Sequence, residues 1–261
     1  MLFGKTVVVT GVASGIGART AELAAQAGAE VVGIDVRPPA APVSSFIAAD
    51  ISSAAAIATL VSQLPARVDA LCNVAGVSGT MSAVTTLNIN FYGLRALTEA
   101  VAPRIREGGS VVNVASIAGY GWLANLARSK ALVDALGFPD VAALVAEHNI
   151  PETQSYPISK EALRLWTMRA AHQPLFKSRG IRVNAVSPGP VATPILKEFR
   201  QVFGDARVDG DIAVAGRAGT APDIAPVIVF LASDGARWIN GANIPVDGGL
   251  EAAVNAQVNG F

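Results

Sequence analysis

Thr10-Gly11-Val12-Ala13-Ser14-Gly15-Ile16-Gly17 is the stretch on which the fold turns. It follows the β-branched run Thr6-Val7-Val8-Val9 and opens an Ala-rich stretch of helical period over 15–28, so its three glycines fall at a strand-to-helix turn. With 25 glycines in 261 residues, such a spacing arises by chance roughly 0.2 times per chain against average usage. Position is what gives it meaning. A tight turn and a close backbone approach both favour residues without a Cβ, and the helix amino terminus beyond offers unpaired N–H groups to a pyrophosphate.

Outward from this turn, short β-branched runs alternate with longer Ala/Leu-rich stretches. Strands are predicted over 5–10, 30–35, 45–49, 68–73, 110–115, 180–186 and 243–246, and helices over 15–28, 53–64, 82–106, 157–177 and 222–233. Parallel strands need crossovers long enough to hold a helix, so the alternation predicts an α/β fold: a parallel sheet with helices on both faces. Val7-Val8-Val9 and Val31-Val32-Gly33-Ile34 are apolar throughout, as central, doubly covered strands are. There is no internal repeat, and Pro38-Pro39-Ala40-Ala41-Pro42 reads as a surface loop. The chain is therefore read as a single domain over residues 1–261. Residues 120–151 carry two helical patterns where a short loop would suffice and are read as a helical insertion.

Composition excludes several function classes. Formal charge is zero, with 20 basic and 20 acidic residues and no run of either sign, which argues against nucleic acid or an anionic membrane as partner. No apolar run reaches the length that spans a bilayer, and residues 1–10 run straight into the first turn without a signal-peptide pattern, so a cytoplasmic protein is expected. One cysteine, Cys72, excludes an internal disulfide; it lies in an apolar run and is read as an inert buried thiol. His148 and His172 have no ligand-spaced partners, so no metal site is predicted. Only 15% of residues are charged against 51% apolar. That is lean cover for a monomer, and subunit contacts are expected.

Two further features carry chemistry. Asp35 ends the second predicted strand, where a carboxylate accepts hydrogen bonds from ribose hydroxyls and repels a 2′-phosphate. This favours NAD over NADP, with Arg37 nearby as a complication. In Gln154-Ser155-Tyr156-Pro157-Ile158-Ser159-Lys160, the phenol and the ammonium fall four residues apart, on one face of a helix. A free phenol titrates near ~10, and a neighbouring cation favours its ionised form. Lys160 is therefore expected to lower the pKa of Tyr156 and make it a usable base.

Taken together, the glycine turn, Asn73-Val74-Ala75-Gly76, Asn90, Ser116, Tyr156/Lys160 and Pro188-Gly189-Pro190-Val191-Ala192-Thr193 resemble the short-chain dehydrogenase/reductase family over residues 4–250. The resemblance implies a Rossmann-type, doubly wound sheet of seven strands and a catalytic tetrad of Asn90, Ser116, Tyr156 and Lys160. It also implies a cofactor site built from Gly11, Ser14, Gly15, Ile16, Gly17, Asp35, Asp50, Ile51, Asn73, Ala75, Gly76, Tyr156, Lys160, Pro188, Gly189, Val191 and Thr193. In that family Asp50-Ile51 flanks the adenine, Thr193 bonds the nicotinamide carboxamide and Asn90 holds a water leading to the lysine. By residue type, Tyr156 serves as general base for alcohol oxidation and general acid for ketone reduction, while Ser116 donates to the substrate oxygen as charge builds there.

Three departures stand out. Val74 replaces the family's second Asn. Pro157 biases Tyr156 away from helical dihedrals and predicts a helix that begins within about a turn of it. Ser116 and Tyr156 are much further apart than the family's usual spacing, because the insertion lies between them. The segment resembles insertions in family members that act on aromatic allylic alcohols and in members that act on hydroxysteroids, in the latter of which extra helices block one of two subunit contacts. A homodimer paired through the surface around 222–246 is expected, with 120–151 covering the outer face of the helices near Asn90 and Tyr156. After Thr193, the apolar residues Ile195, Leu196, Phe199, Val202 and Phe203 read as a mobile lid, and Lys197, Arg200 and Arg207 as its solvated face. Trp122 and Leu123 are expected in the core rather than at the mouth. The function expected is NAD-dependent oxidation of a small apolar aromatic alcohol, with a hydroxysteroid dehydrogenase/carbonyl reductase as alternative. From another class comes a nicotinamide-binding regulator without turnover.

Overall fold

The computed structural model describes residues 2–39 and 41–260; Ala40, within the expected 38–42 loop, lies outside them. Seven strands, β1 (Thr6–Thr10), β2 (Glu30–Asp35), β3 (Ser45–Ala48), β4 (Val68–Asn73), β5 (Ile105–Val114), β6 (Arg182–Pro188) and β7 (Asn243–Val246), form one sheet in the order β3-β2-β1-β4-β5-β6-β7. Every pairing is parallel. The chain winds outward from β1 to β3 and then returns to place β4 on the other side of β1. That reversal leaves a crevice beyond the carboxyl ends of β1 and β4, where sheets of this kind bind ligands.

Strand alternation divides the core. Val8, Leu71 and Val111 pack with the helix Ala54–Gln63, the helical run 83–101 and the helix Glu152–Ala170. Val7, Val9, Ala70, Cys72 and Val112 face the other way, against the helices Gly15–Gln26 and Ala221–Ala232. Each fully buried Val, Leu or Phe stabilises the fold by roughly 1.5–3 kcal/mol relative to exposure. These two layers fix the strand register that aims the crevice residues.

The strands over 30–35, 68–73 and 243–246 stand as their sequence predicts. The helices differ more. The expected helix over 82–106 is four segments, Ala83–Leu87, a π-helical turn Asn88–Gly93, Leu94–Val101 and a 3-10 turn Ala102–Arg104, and β5 already begins at Ile105. Gly93 explains the first irregularity, since a Cβ there would lie 1.9 Å from the Ile51 carbonyl oxygen. Pro103 helps end the run, because it has no N–H to continue the helix. The helix holding Tyr156 starts at Glu152, ahead of the expected 157 but within about a turn of Tyr156, and so takes Pro157 inside it. Only one backbone hydrogen bond, to the Thr153 carbonyl, is lost there.

The segment 120–151, expected as an insertion, forms the helices Leu126–Asp134 and Val141–Glu147. Two buried charges pin it. Arg95 donates to the carbonyls of Val133 (3.1 Å), Ala135 (2.5 Å) and Gly137 (2.6 Å), satisfying the open end of the first helix. Glu161 accepts from Asn125 Nδ2 (2.8 Å) and Ser129 Oγ (3.4 Å) and lies 3.5 Å from Arg128. Trp122 and Leu123 are not core residues as expected: Trp122 is half-buried and Leu123 is exposed, because both ride on the 3-10 turn Ile117–Leu123 that leads out to the insertion. Among the described residues no helix is long and apolar enough to cross a membrane.

Candidate active site

The turn after β1 is built by contacts that only glycine permits. Gly11 has φ +80°, and a Cβ on it would meet the Ala75 backbone at 2.9 Å; one on Gly17 would lie 2.1 Å from the Gly11 carbonyl oxygen. Thr10 Oγ1 accepts from the N–H groups of both Val74 and Ala75, each at 3.0 Å, and so ties β1 to the loop after β4. Ser14 stands at the amino terminus of the Gly15–Gln26 helix in extended conformation, with its side chain making no capping bond. The first N–H groups of that helix therefore face the crevice free of a capping side chain, as an incoming phosphate requires.

Above this turn runs a cleft of about 400 Å³. Gly11, Ser14, Gly15, Ile16 and Gly17 form its floor, and Asp35, Arg37, Asp50 and Ile51 one end. Asp35 is held in place by the N–H groups of Ala13 (3.0 Å) and Arg37 (3.1 Å). Asp50 accepts from the Ser52 N–H and hydroxyl at 2.8 and 2.7 Å. At the other end Ala75, Gly76, Ser116, Tyr156, Lys160, Pro188, Gly189, Val191 and Thr193 converge. This cradle of small residues, with free N–H groups at its centre and a carboxylate at one rim, fits an extended dinucleotide.

Ser116 follows β5 and is buried; its hydroxyl accepts from the Ala118 N–H at 3.1 Å. Tyr156 and Lys160 stand one helical turn apart, and the ammonium nitrogen lies 5.7 Å from the centre of the phenol ring. Lys160 Nζ donates to the Val114 carbonyl at 2.8 Å. Burial pushes the Tyr156 phenol up to about 12, with a hydrogen bond from Ser116 pulling the other way. The same burial pushes Lys160 down to about 8. The sequence-based expectation therefore needs correction: at this distance the lysine's charge does not offset desolvation, and it is Ser116 that opposes it.

Asn73 and Asn90 do not line the cleft. Asn73 is buried at the end of β4, donating to Thr98 Oγ1 (2.8 Å) and Asn113 Oδ1 (2.9 Å), while Asn113 donates to Thr167 (3.0 Å). This polar chain ties β4 and β5 to the helices behind them. Asn90 lies in the π-helical turn, where its amide accepts from the Val77 N–H (2.8 Å) and donates to the Val77 carbonyl (2.9 Å). Only Gly76 separates it from the lysine: a Cβ on Gly76 would be 3.1 Å from Asn90 Oδ1 and 3.7 Å from Lys160 Nζ.

Sequence reasoning missed three contributors: Thr10, Glu198 and the contact of Phe199 with the tyrosine. The expected lid is the helix Leu196–Phe203. Its Phe199 ring lies 4.8 Å and its Phe203 ring 6.1 Å from that of Tyr156. Apolar spacing pointed to the lid, but nothing in the sequence pointed to its seat.

Fold and site together define a nicotinamide-dependent oxidoreductase. The model of the family described as short chain dehydrogenase matches residues 5–136, and one described as Enoyl-(Acyl carrier protein) reductase matches 140–251. The coniferyl-alcohol dehydrogenase of Pseudomonas sp. (strain HR199 / DSM 7063) is 43% identical over 249 residues, covering 95% of this chain and 97% of that protein. The 3-alpha-hydroxysteroid dehydrogenase/carbonyl reductase of Comamonas testosteroni is 30% identical over 264 residues, with 95% and 97% covered. Among solved structures, the 3-alpha-hydroxysteroid dehydrogenase from Pseudomonas sp. B-0831 complexed with NADH superposes with a TM-score of 0.82 at 30% identity, over 97% of this chain and 99% of that one. The chain belongs to the short-chain dehydrogenase/reductase family and is an oxidoreductase.

Proposed function

We propose that this protein oxidises a small apolar aromatic alcohol of the allylic type to its aldehyde, with NAD rather than NADP. The observation that carries the reading is the convergence of Ser116, Tyr156 and Lys160 on a cleft end roofed by Phe199, with Asp35 at the opposite rim. The 43% identity to a coniferyl-alcohol dehydrogenase supports this substrate class. The 30% identity to a hydroxysteroid dehydrogenase/carbonyl reductase favours an alicyclic alcohol as the second reading. Aromatic faces at the lid suit a flat conjugated substrate better.

NAD, bound along the glycine floor, supplies the hydride acceptor. Gly11, Ser14, Gly15, Ile16 and Gly17 would hold its pyrophosphate, Asp35 its adenosine ribose, Asp50 and Ile51 its adenine, and Pro188, Gly189, Val191 and Thr193 its nicotinamide. Ala75 and Gly76 give the backbone room to approach, and Asn73 acts from behind as scaffold. Tyr156 takes the hydroxyl proton during oxidation and returns one during reduction. With its phenol raised to about 12, it is protonated at neutral pH and is ready as the acid; in the oxidation direction the hydrogen bond from Ser116 favours the phenolate, and Lys160 lines the same end of the cleft. Ser116 donates to the substrate oxygen. Asn90, acting through Lys160 across Gly76, is a positioning residue.

The assembly proposed is a homodimer in the cytoplasm. Trp238 is 97% exposed and Phe230 45%, leaving an apolar surface within 222–246, whereas the insertion covers the helices near Asn90 and Tyr156. Tyr156→Phe tests the catalytic reading: absorbance at the reduced-nicotinamide band, with cinnamyl-type alcohols, benzylic alcohols and 3-hydroxysteroids, should show turnover reduced by ~10²–10⁴-fold while cofactor affinity persists. Full activity in that variant would falsify the assignment; cofactor binding without turnover in the unmodified protein would favour a regulator.

A further inference from the structure

The wall around the Tyr156 phenol is mostly apolar, with Val77, Met81, Ile195 and Phe199 lining it. One acid interrupts this surface. Glu198, on the lid helix, lines the same cleft, and its Oε2 accepts a hydrogen bond from the Ser78 hydroxyl at 2.5 Å and a longer one from Thr80 Oγ1 at 3.4 Å. Ser78 is wholly buried. The loop that carries both donors rests on the tyrosine, since a Cβ at Gly79 would lie 3.0 Å from Tyr156 Cβ. The carboxylate is thus fixed into the wall at the reacting end of the cleft rather than swinging in solvent.

Its charge is not neutralised. Among the described residues Glu198 is in no ion pair, and the arginines of its own and the next helix have other partners. Arg200 pairs with Asp205 (2.9 Å) and Asp209 (2.7 Å), and Arg207 lies over the Phe203 ring. Lys197 is exposed, and adjacent helical residues do not face one another. Two neutral hydroxyls hold the group, and neither cancels a full negative charge.

We infer that Glu198 is a specificity-determining residue: it makes the cleft reject alcohols that carry a carboxylate and admit neutral ones. The inference rests on the alcohol-dehydrogenase reading and adds to it the charge class of the substrate. Like charges several ångströms apart in a partly desolvated cleft repel strongly enough to change selectivity by roughly tenfold or more. An acid in an apolar lid would otherwise only raise the cost of closing it. Here the hydrogen bonds to Ser78 and Thr80 offset part of its desolvation.

The test compares cinnamyl alcohol with 4-carboxycinnamyl alcohol and with the cationic 4-(aminomethyl)cinnamyl alcohol, measuring kcat/KM with saturating NAD. Glu198→Gln keeps an acceptor for Ser78 but removes the charge; it should raise kcat/KM for the carboxylate substrate relative to cinnamyl alcohol by roughly tenfold and lower it for the cationic one. Ser78→Ala keeps the charge and loosens the lid, so it should move all three substrates together. In the unmodified protein, added salt should narrow the gap between neutral and carboxylate substrates, which tests the charge without any variant. Unchanged ratios in Glu198→Gln, a Ser78→Ala variant that shifts the ratios as Glu198→Gln does, or a gap insensitive to salt would each overturn the inference while leaving the oxidation of cinnamyl alcohol standing. If none of the three alcohols is oxidised, the reading of the function fails and this inference fails with it.

Discussion

Replacing Lys160 by methionine isolates the cost of burying its charge. The side chain is 4% exposed, and desolvation lowers its pKa from 10.5 to about 8. The folded chain therefore holds this proton less tightly than the unfolded chain does. Below about pH 8 the ammonium destabilises the fold by about 3 kcal/mol, from 2.5 pKa units at about 1.36 kcal/mol each. As pH rises from about 8 towards 10.5 the penalty is relieved, and about 2 kcal/mol should be recovered by about pH 10. Methionine carries no proton, so Lys160→Met lacks this slope. The expected outcome is that the unfolding free energy of the unmodified protein, minus that of the variant, rises by about 2 kcal/mol between about pH 8 and about pH 10. Tyr156 has the opposite sign: with its pKa raised to about 12, it contributes stability that is lost as pH climbs from about 10 through 12, but it is present in both proteins and cancels. Urea unfolding of cofactor-free protein, followed by fluorescence of the buried Trp166, measures the difference. A flat difference would mean that the amine is not desolvated. A falling one would mean that Lys160 binds its proton more tightly when folded, as an ammonium paired with a phenolate would, and the reasoning would be refuted.

Two other substitutions address cofactor and assembly. Asp35→Ala should weaken NAD binding by roughly tenfold, on the order of one lost charge-assisted hydrogen bond, and relax the exclusion of NADP; fluorescence titration with both cofactors checks this, and better use of NADP by the unmodified protein would contradict it. Trp238→Glu places a charge in the exposed apolar surface and should turn a dimer into monomers in sedimentation, whereas a monomeric unmodified protein would remove the premise.

The sheet was legible because its signals are local. Val7-Val8-Val9 and the glycine turn carry period and conformational demand within a dozen positions, and β2, β4 and β7 lie where the residues alone place them. The break in the expected helix over 82–106 was not legible, because Gly93 yields to the Ile51 carbonyl, a contact across the fold rather than along it. Asn73 and Asn90 show a related limit. Both sit in motifs with the right letters, yet the amides are spent on Thr98, Asn113 and Val77; a motif fixes which residue is present but not which side of the wall it faces. The ionisation of Tyr156 went astray for an energetic reason. Spacing shows that a cation is near, while the sum of burial around both groups, which decides the balance, is written in residues scattered over the chain.

Residues 120–151 raise the question of how a site is held when 32 residues run between two of its members. Ser116 is fixed before the chain leaves, by the end of β5 and its bond to Ala118. Tyr156 is fixed after the chain returns, by a helix whose buried face includes Ile158, Ala162 and Trp166. Neither depends on the path between them. What the insertion does need is its own anchorage, and that comes from Glu161 on the Tyr156 helix and Arg95 on the run that holds Asn90. Both charges point away from the cleft while Lys160 and Asn90, on the same elements, sit beside it. Each helix therefore serves two surfaces, with the candidate site on one and the clamp for the helices of 120–151 on another, so that segment is anchored without displacing the phenol from Ser116.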